Sequence, residues 1–416
     1  MSSLKEWFNG LLASRSLRQV LLLFGSYLGL IVLGFALKYE QTHILNEIEY
    51  GRYALVISIA GLLALIFHFG YFVSLQVLLA QNVNRLREKR ILAAGFLMAL
   101  ICGTLLALSM WLFAGPLANF FHEDIAGLLT VLAPLFLILP FNNLLNAYGS
   151  GSNKLWVNML VNLIPKALFL LTLLIWEFYD GPLGVEILLA MNMGSTMLTL
   201  FALVFILRPD FHDFKRSLTL LHWKNKKFGI QYYSGSIANQ TTYKLDEICI
   251  GYFVNAGALG IYSLANMVVS PMLLMSQSLS SSMFKRFSGM KRIPSQIFVY
   301  NSIWLLGCVL FFFFTGSYIT SLLFSADFME VALYLVPISL VLLVHGSISP
   351  FSFLAAKSMG KEIRNIAWVE AVLNLSGNLI LIPMHGIYGA ILASFIAKAV
   401  NLGMMVFYYR RYLERG

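Results

Sequence analysis

The chain has 416 residues, 59% of them hydrophobic and only 12% charged, with a mean hydropathy of +0.78. Soluble domains carry about 45–50% apolar and about 25% charged residues, and their surfaces could not absorb such an excess. The apolar stretches run for about 20 residues and do not alternate over about 10, which excludes an outer-membrane β-barrel and leaves an all-α integral membrane protein. Cys102, Cys249 and Cys308 all lie in apolar runs, and an odd number so placed gives no disulfide framework.

Residues 1–17 read as a short amphipathic helix at the membrane interface, with Leu4, Trp7, Phe8, Leu11 and Leu12 at helical spacing and no small-residue cleavage site after them. Twelve apolar spans follow, at about 18–38, 52–80, 91–113, 125–146, 156–176, 182–207, 228–252, 257–284, 294–314, 331–355, 363–383 and 387–409. Each covers about 30 Å of hydrocarbon at about 1.5 Å per residue. With both termini taken as cytoplasmic, the tails and alternate loops hold 24 of the 29 Lys and Arg residues, including Arg85, Arg87, Lys89 and Arg90 after span 2 and six basic residues over 208–227. The opposite loops hold Glu40, Glu47, Glu49, Glu123, Asp124, Glu177, Asp180, Asp327 and Glu330. That asymmetry is the positive-inside rule, so the net charge of +10 reflects topology and anionic lipid, with no call for nucleic acid. Every loop is short, and the function therefore lies in the helices.

Three landmarks recur at nearly one offset: Gly51-Arg-Tyr53 with Gly260-Ile-Tyr262, Phe121-His-Glu-Asp124 with Phe324-Ser-Ala-Asp327, and Gly181-Pro-Leu-Gly184 with Gly386-Ile-Tyr-Gly389. They imply a parallel pseudo-repeat: an N-lobe over 18–208, a cytoplasmic loop over 209–227, and a C-lobe with a cytoplasmic tail over 228–416. Each lobe has six spans, around a central cavity, as in many transporters.

The stretches Ile44–Leu55 (ILNEIEYGRYAL), Asp246–Gly251 (DEICIG), Leu259–Ala265 (LGIYSLA), Leu323–Phe328 (LFSADF) and Ile382–Ala390 (IPMHGIYGA) lie in order over nearly the whole chain. They resemble the polysaccharide-export branch of the MOP (multidrug, oligosaccharidyl-lipid, polysaccharide) superfamily. The resemblance implies a Wzx-type flippase of the bacterial inner membrane. Such a protein moves an undecaprenyl-pyrophosphate-linked oligosaccharide, such as an O-antigen unit for lipopolysaccharide, from the cytoplasmic to the periplasmic leaflet. Spans 1, 2, 7 and 8 would then line the cavity, the lipid-linked oligosaccharide and membrane lipid would be the partners, and other polysaccharide-assembly proteins could contact the basic rim.

A pyrophosphate-linked glycan calls for cations and for amide or hydroxyl partners. Five basic residues escape the cytoplasmic count: Lys38, Arg52, Lys166, Lys244 and Lys398. Intramembrane charge is costly unless it meets water or a partner. Lys38 and Arg52 are equally interface anchors with Glu40 and Glu49 as partners, and the resemblance raises Arg52 to a pyrophosphate or sugar contact. Span 7 reads SGSIANQTTYKLDE over 234–247, with Asn239 and Asp246 on one face and Gln240, Lys244 and Glu247 on the next. This polar surface either lines a wet cavity or holds a Lys244–Glu247 pair near the head groups. Lys166 follows Pro165 near the midplane with no acid at its own depth in its lobe, whereas Lys398 has Glu370 within reach. His68 and His345 read as buried hydrogen-bonded side chains or, more sharply, as proton-coupling groups beside Glu370 and Lys398. The run Ser276–Ser282 permits close packing or hydration, and Phe311–Phe314 face lipid.

No metal cluster, nucleotide loop or catalytic motif is present in the sequence, so no cofactor is expected and transport needs an ion gradient, a potential or product consumption. A drug or small-molecule antiporter of the same superfamily is the alternative. A polymerase or ligase would need a larger outer loop than the roughly 15 residues available, by comparison with the short connections usual between packed helices.

Overall fold

The computed structural model describes residues 15–81, 84–177, 183–357 and 359–415. The proposed interfacial helix over 1–17 therefore falls almost wholly outside the described residues, as do Gly181 and Pro182. Every regular element among the described residues is helical: in hydrocarbon no water can take up backbone N–H and C=O groups, and a helix satisfies its own. Among the described residues ten helices are long and apolar enough to cross a membrane. The first and seventh sequence spans correspond to α1 (Arg15–Ile44) and the more polar α11 (Ile230–Phe253), of 30 and 24 residues. They would reach roughly 45 Å and 36 Å along their axes.

Contacts divide the chain into two compact units. The first comprises residues 1–40, 66–112 and 128–233. It holds most of α1, α3 (Tyr71–Leu79), α4 (Arg85–Leu112), most of α6 (Ala126–Phe136), α7 (Leu139–Gly151), α8 (Leu155–Glu177), α9 (Val185–Leu207) and α10 (Phe214–Lys224). The second comprises 41–65, 113–127 and 234–416. It holds nearly all of α2 (Glu47–Ile66), α5 (Ala114–Phe121), most of α11, and then α12 (Ala256–Val269), α13 (Leu273–Gly289), α14 (Ser295–Leu323), α15 (Val331–Ile348), α16 (Ser352–Ala356), α17 (Gly360–His385) and α18 (Ile387–Arg415). The loop expected over 209–227 is mostly the helix α10, continued by a π-helical turn over Asn225–Gly229.

Four of the twelve spans are interrupted, and the interruptions recur in the second and fourth span of each half. Span 2 breaks between α2 and α3, span 4 between α6 and α7, span 8 at a 3-10 turn over Ser270–Met272, and span 10 at another over Ser349–Phe351. Pro140, Pro271 and Pro350, which lack an N–H, mark three of them.

At the first break Phe69 and Gly70 take positive φ angles of 46° and 77°, and the freed backbone groups find side chains of the first unit. The Gly70 N–H donates to His68 Nδ1 at 3.2 Å, Asn225 Nδ2 donates to the Phe69 carbonyl at 3.1 Å, and the Tyr233 hydroxyl donates to the Ile66 carbonyl. Irregular backbone at membrane depth survives only where protein takes up its polar groups in this way. In the second unit Trp304 Nε1 donates to the Met272 carbonyl at 2.8 Å, and Asn301 Nδ2 to the Gly346 carbonyl at 3.1 Å.

The repeated Gly-x-Tyr landmark has a packing cause. Gly51 of α2 and Gly260 of α12 meet in the second unit at a crossing where the two backbones touch. A Cβ on Gly51 would lie 2.0 Å from the Ala256 carbonyl oxygen, and one on Gly260 would lie 3.2 Å from the Gly51 Cα. Without a hydrophobic force between helices in lipid, such close approach of small residues is the main source of attraction. The second landmark buries Phe121 and Phe324 alike, at 4% and 3% exposure. The phenylalanine run behaves as read except at Phe312, which is buried while Phe311, Phe313 and Phe314 are exposed. Ser276 serves packing: it is fully buried and donates to Asn301 at 2.7 Å.

Gly51→Ala should lower the melting temperature in detergent, by an amount corresponding to about 1–3 kcal/mol of overpacking. Gly307→Ala in α14, where the added Cβ meets nothing within 4 Å, should be neutral or slightly stabilising. Equal melting temperatures for the two variants would contradict the crossing.

Candidate functional site

The second unit holds a cavity of about 80 Å³ whose walls come from α11, α12, α13, α15, α17 and α18, with polar side chains set among apolar ones. Asp246 of α11 is 5% exposed and accepts three hydrogen bonds there: from the Tyr262 hydroxyl at 3.1 Å, Asn378 Nδ2 at 2.6 Å and the Ser394 hydroxyl at 2.6 Å. Asn374 donates to Ser394 at 3.0 Å and accepts from Asn378 at 3.2 Å, which locks the second layer. Along the same wall Glu370 accepts from Lys398 and Asn401, and His345 completes the lining. Both members of the Glu370–Lys398 pair are buried, with side chains 6% and 8% exposed, as the sequence spacing suggested.

Two carboxylates, Asp246 and Glu370, face one ammonium, Lys398, and Lys398 is committed to Glu370. Asp246 is surrounded by neutral donors, and the Oδ1 atoms of Asn378 and Asn401 are buried with no hydrogen-bond partner among the described residues. A buried carboxyl ringed by neutral donors and amide oxygens suits a proton or a small hard cation. The volume makes the same selection, because a water molecule claims about 30 Å³ of liquid and drug-sized ligands need about 300–1,000 Å³.

Arg52, Lys244 and Glu247 lie on another side of the second unit. Arg52 Nε pairs with Glu123 Oε2 at 3.0 Å, and Glu123 Oε1 accepts the Ala256 N–H at 3.1 Å, so one carboxylate clips α2 to the first turn of α12. Glu123, and not Glu40 or Glu49, is thus the partner of Arg52. Glu49 instead forms a capping box with Asn46 at the start of α2. The Lys244–Glu247 pair is present at 2.7 Å, and Ser58 of α2 donates to the same carboxylate at 2.5 Å. Asn239 and Gln240 belong to α11, but their side chains lie outside the described residues.

The remaining candidates belong to the first unit. Lys166 of α8 is exposed and without an ion pair among the described residues, and Lys38 of α1 is near enough to act on it electrostatically. α1 and α8 are close, since a Cβ on Gly29 would touch Leu163. His68 serves the break after α2: besides accepting from Gly70, its ring stands edge-on to Phe72 at 4.7 Å and stacks over Tyr233 at 6.0 Å.

Tyr262, which the sequence marks only as a landmark, joins Asn374, Asn378, Ser394 and Asn401 in this site, and the last four carry a signal of their own in the sequence. Glu370, Asn374 and Asn378 are spaced by four in span 11, and Ser394, Lys398 and Asn401 by four and three in span 12. Each set forms a polar stripe on an otherwise apolar helix, and in lipid such a stripe must face protein.

Lys398→Met should destabilise the protein by about 3–5 kcal/mol, because it leaves Glu370 buried and unpaired. The double variant Glu370→Gln/Lys398→Met should regain most of that loss in thermal melts. Losses that simply add would show that the two groups are not a coupled pair.

The profile of the family described as polysaccharide biosynthesis protein matches residues 16–291. The amylovoran biosynthesis protein AmsL of Erwinia amylovora is 23% identical over 224 residues, an alignment covering 52% of this chain and 55% of that protein's length. An inward-facing multidrug resistance MATE family transporter of the MOP superfamily superposes with a TM-score of 0.75 at 15% identity, covering 93% of this chain and 95% of that one. The lipid II flippase MurJ, in an inward closed conformation, superposes with a TM-score of 0.68 at 14% identity over 94% and 87% of the two chains. The chain therefore belongs to the polysaccharide biosynthesis protein family, and it is a multi-pass membrane protein whose fold is the one seen in the MATE family transporter and in MurJ.

Proposed function

We propose that this protein is a non-enzymatic flippase that carries a polyprenyl-pyrophosphate-linked oligosaccharide, such as an O-antigen unit, from the cytoplasmic to the periplasmic leaflet of the bacterial inner membrane. The observation that carries the proposal is the polysaccharide-biosynthesis family match over 16–291, borne by a chain with a transporter fold. The excess of basic residues in alternate loops supports cytoplasmic termini. The six-span N-lobe over 18–208 and the C-lobe over 228–416 are the moving parts of alternating access.

Within that scheme Lys38 and Lys166 supply positive charge for the pyrophosphate. Lys166 suits this task because it is exposed on an apolar helix and has no ion pair among the described residues that folding would require. Arg52 is bound to Glu123 and would reach a phosphate only by exchanging carboxylate for ligand. Asp246, with Asn378 and Ser394, holds the proton or cation whose gradient drives the cycle. The antiporter alternative fares worse at this cavity, since about 80 Å³ takes an ion and not an organic cation.

Cells lacking the protein, in a strain without a redundant copy, should accumulate lipid-linked oligosaccharide on the cytoplasmic leaflet and lose surface polysaccharide, with rescue by the intact gene. Lys166→Ala, at normal protein level, should restore less than about a tenth of the surface polysaccharide, corresponding to about 1.4 kcal/mol or more at the rate-limiting step, and Lys166→Arg should restore most of it. Normal surface glycan in the deleted strain would contradict the flippase, and full rescue by Lys166→Ala would remove Lys166 from the pathway.

A further inference from the structure

On the rim of the first unit an open cleft of about 780 Å³ lies between the first turns of α4 and the length of α10. Its charged wall is made by Arg87 and Arg90 from α4 and Arg216 from α10. Arg90 takes up the two nearby carboxylates, binding Asp210 through Nε at 3.1 Å and Asp213 through Nη1 at 2.6 Å. The His212 amide and the Arg90 guanidinium hold Asp210 below the usual carboxylate range, so this clamp persists at physiological pH. Among the described residues no carboxylate pairs with Arg87 or Arg216. Two planar, permanently charged forks are thus presented to one cleft, a geometry suited to bidentate binding of phosphate oxygens.

The surroundings of those forks specify a lipid. α10 buries Ser217 and Leu221 against its neighbours and leaves Lys215, Arg216, Thr219 and Trp223 outside, the pattern of a helix lying in the head-group layer. Trp223 and Leu86, at 51% and 53% exposure, form the apolar lip of the cleft, where acyl chains or a glycerol backbone would rest. Both segments are basic loops of one parity in the topology, which puts them on one membrane face.

We propose that Arg87, Arg216 and Trp223 form a binding site for the phosphate head group of an anionic phospholipid. The site docks α10, the segment between the sixth and seventh spans, onto the cytoplasmic leaflet. It requires only that the chain be embedded in a membrane and is independent of which glycan is moved.

The test uses the purified full chain in detergent, titrated with dioleoylphosphatidylglycerol, dioleoylphosphatidylcholine or inorganic phosphate, with bound lipid counted by native mass spectrometry. Phosphatidylglycerol should bind at least tenfold more tightly than phosphatidylcholine. Arg87→Ala/Arg216→Ala should remove that preference, whereas Lys291→Ala/Arg292→Ala, which deletes the same charge from another exposed basic loop, should change it less than threefold. Brominated phosphatidylglycerol should also quench the part of the fluorescence lost in Trp223→Phe, a readout that survives if the double variant fails to fold. Equal losses in the two double variants would reduce the effect to general surface charge and overturn the site. So would saturation by inorganic phosphate at the lipid's concentration, or an unquenched Trp223.

Discussion

A carboxylate inside hydrocarbon must be solvated by protein, and the second unit is arranged around that requirement at Asp246. Tyr262, Asn378 and Ser394 arrive from three different helices to donate to it, and Asn374 holds two of those donors in place. This fixes the rotation of α11, α12, α17 and α18 about their axes, because a helix turned by one residue would carry its donor away by about 100°. The adjoining Glu370–Lys398–Asn401 cluster extends the same constraint along α17 and α18. Lipid offers no competing solvation, so the polar residues determine which faces turn inward and the apolar ones fill what remains.

The same economy explains why charge along α11 separates into two groups. Asp246 turns into the cavity of the second unit, whereas Lys244 and Glu247 turn toward Ser58 of α2. A structural pair and a chemically available acid thus occupy two sides of one helix. The Glu123 clip is structural in the same sense: it neutralises Arg52 and caps the first turn of α12.

Much of this was legible in the sequence. Twelve spans, the Lys244–Glu247 pair and the repeated landmarks follow from local composition and spacing, because hydrophobic length and i,i+3 geometry are short-range properties; the Glu370–Lys398 pair, 28 residues apart on two helices, follows from the similar depth of the two residues. Gly51 and Gly260 could be matched as landmarks, but only the crossing shows that each is a glycine because the other helix touches it. The partner of Arg52 was not legible: Glu123 is 71 residues away, and nothing local distinguishes it from Glu40 or Glu49. The cage of Asp246 was half legible, since the polar stripes of spans 11 and 12 were visible while their convergence on a residue of span 7 is a tertiary fact. Interruptions at the prolines of spans 4, 8 and 10 were readable in principle. The break at Phe69–Gly70 depends on Asn225 and Tyr233, far along the chain.

The Asp246 carboxyl, buried among neutral donors, is the feature on which an ion-driven flippase stands or falls. The direct measurement is transport of a fluorescent lipid-linked oligosaccharide in proteoliposomes with an imposed sodium or proton gradient, comparing the native chain with Asp246→Asn. The amide keeps the size of the side chain and can still accept from Tyr262 and Ser394, so the variant should fold. The native protein is expected to respond to one of the two gradients and the variant to neither. A variant that follows the gradient as the native protein does would contradict the assignment of Asp246 as the coupling group.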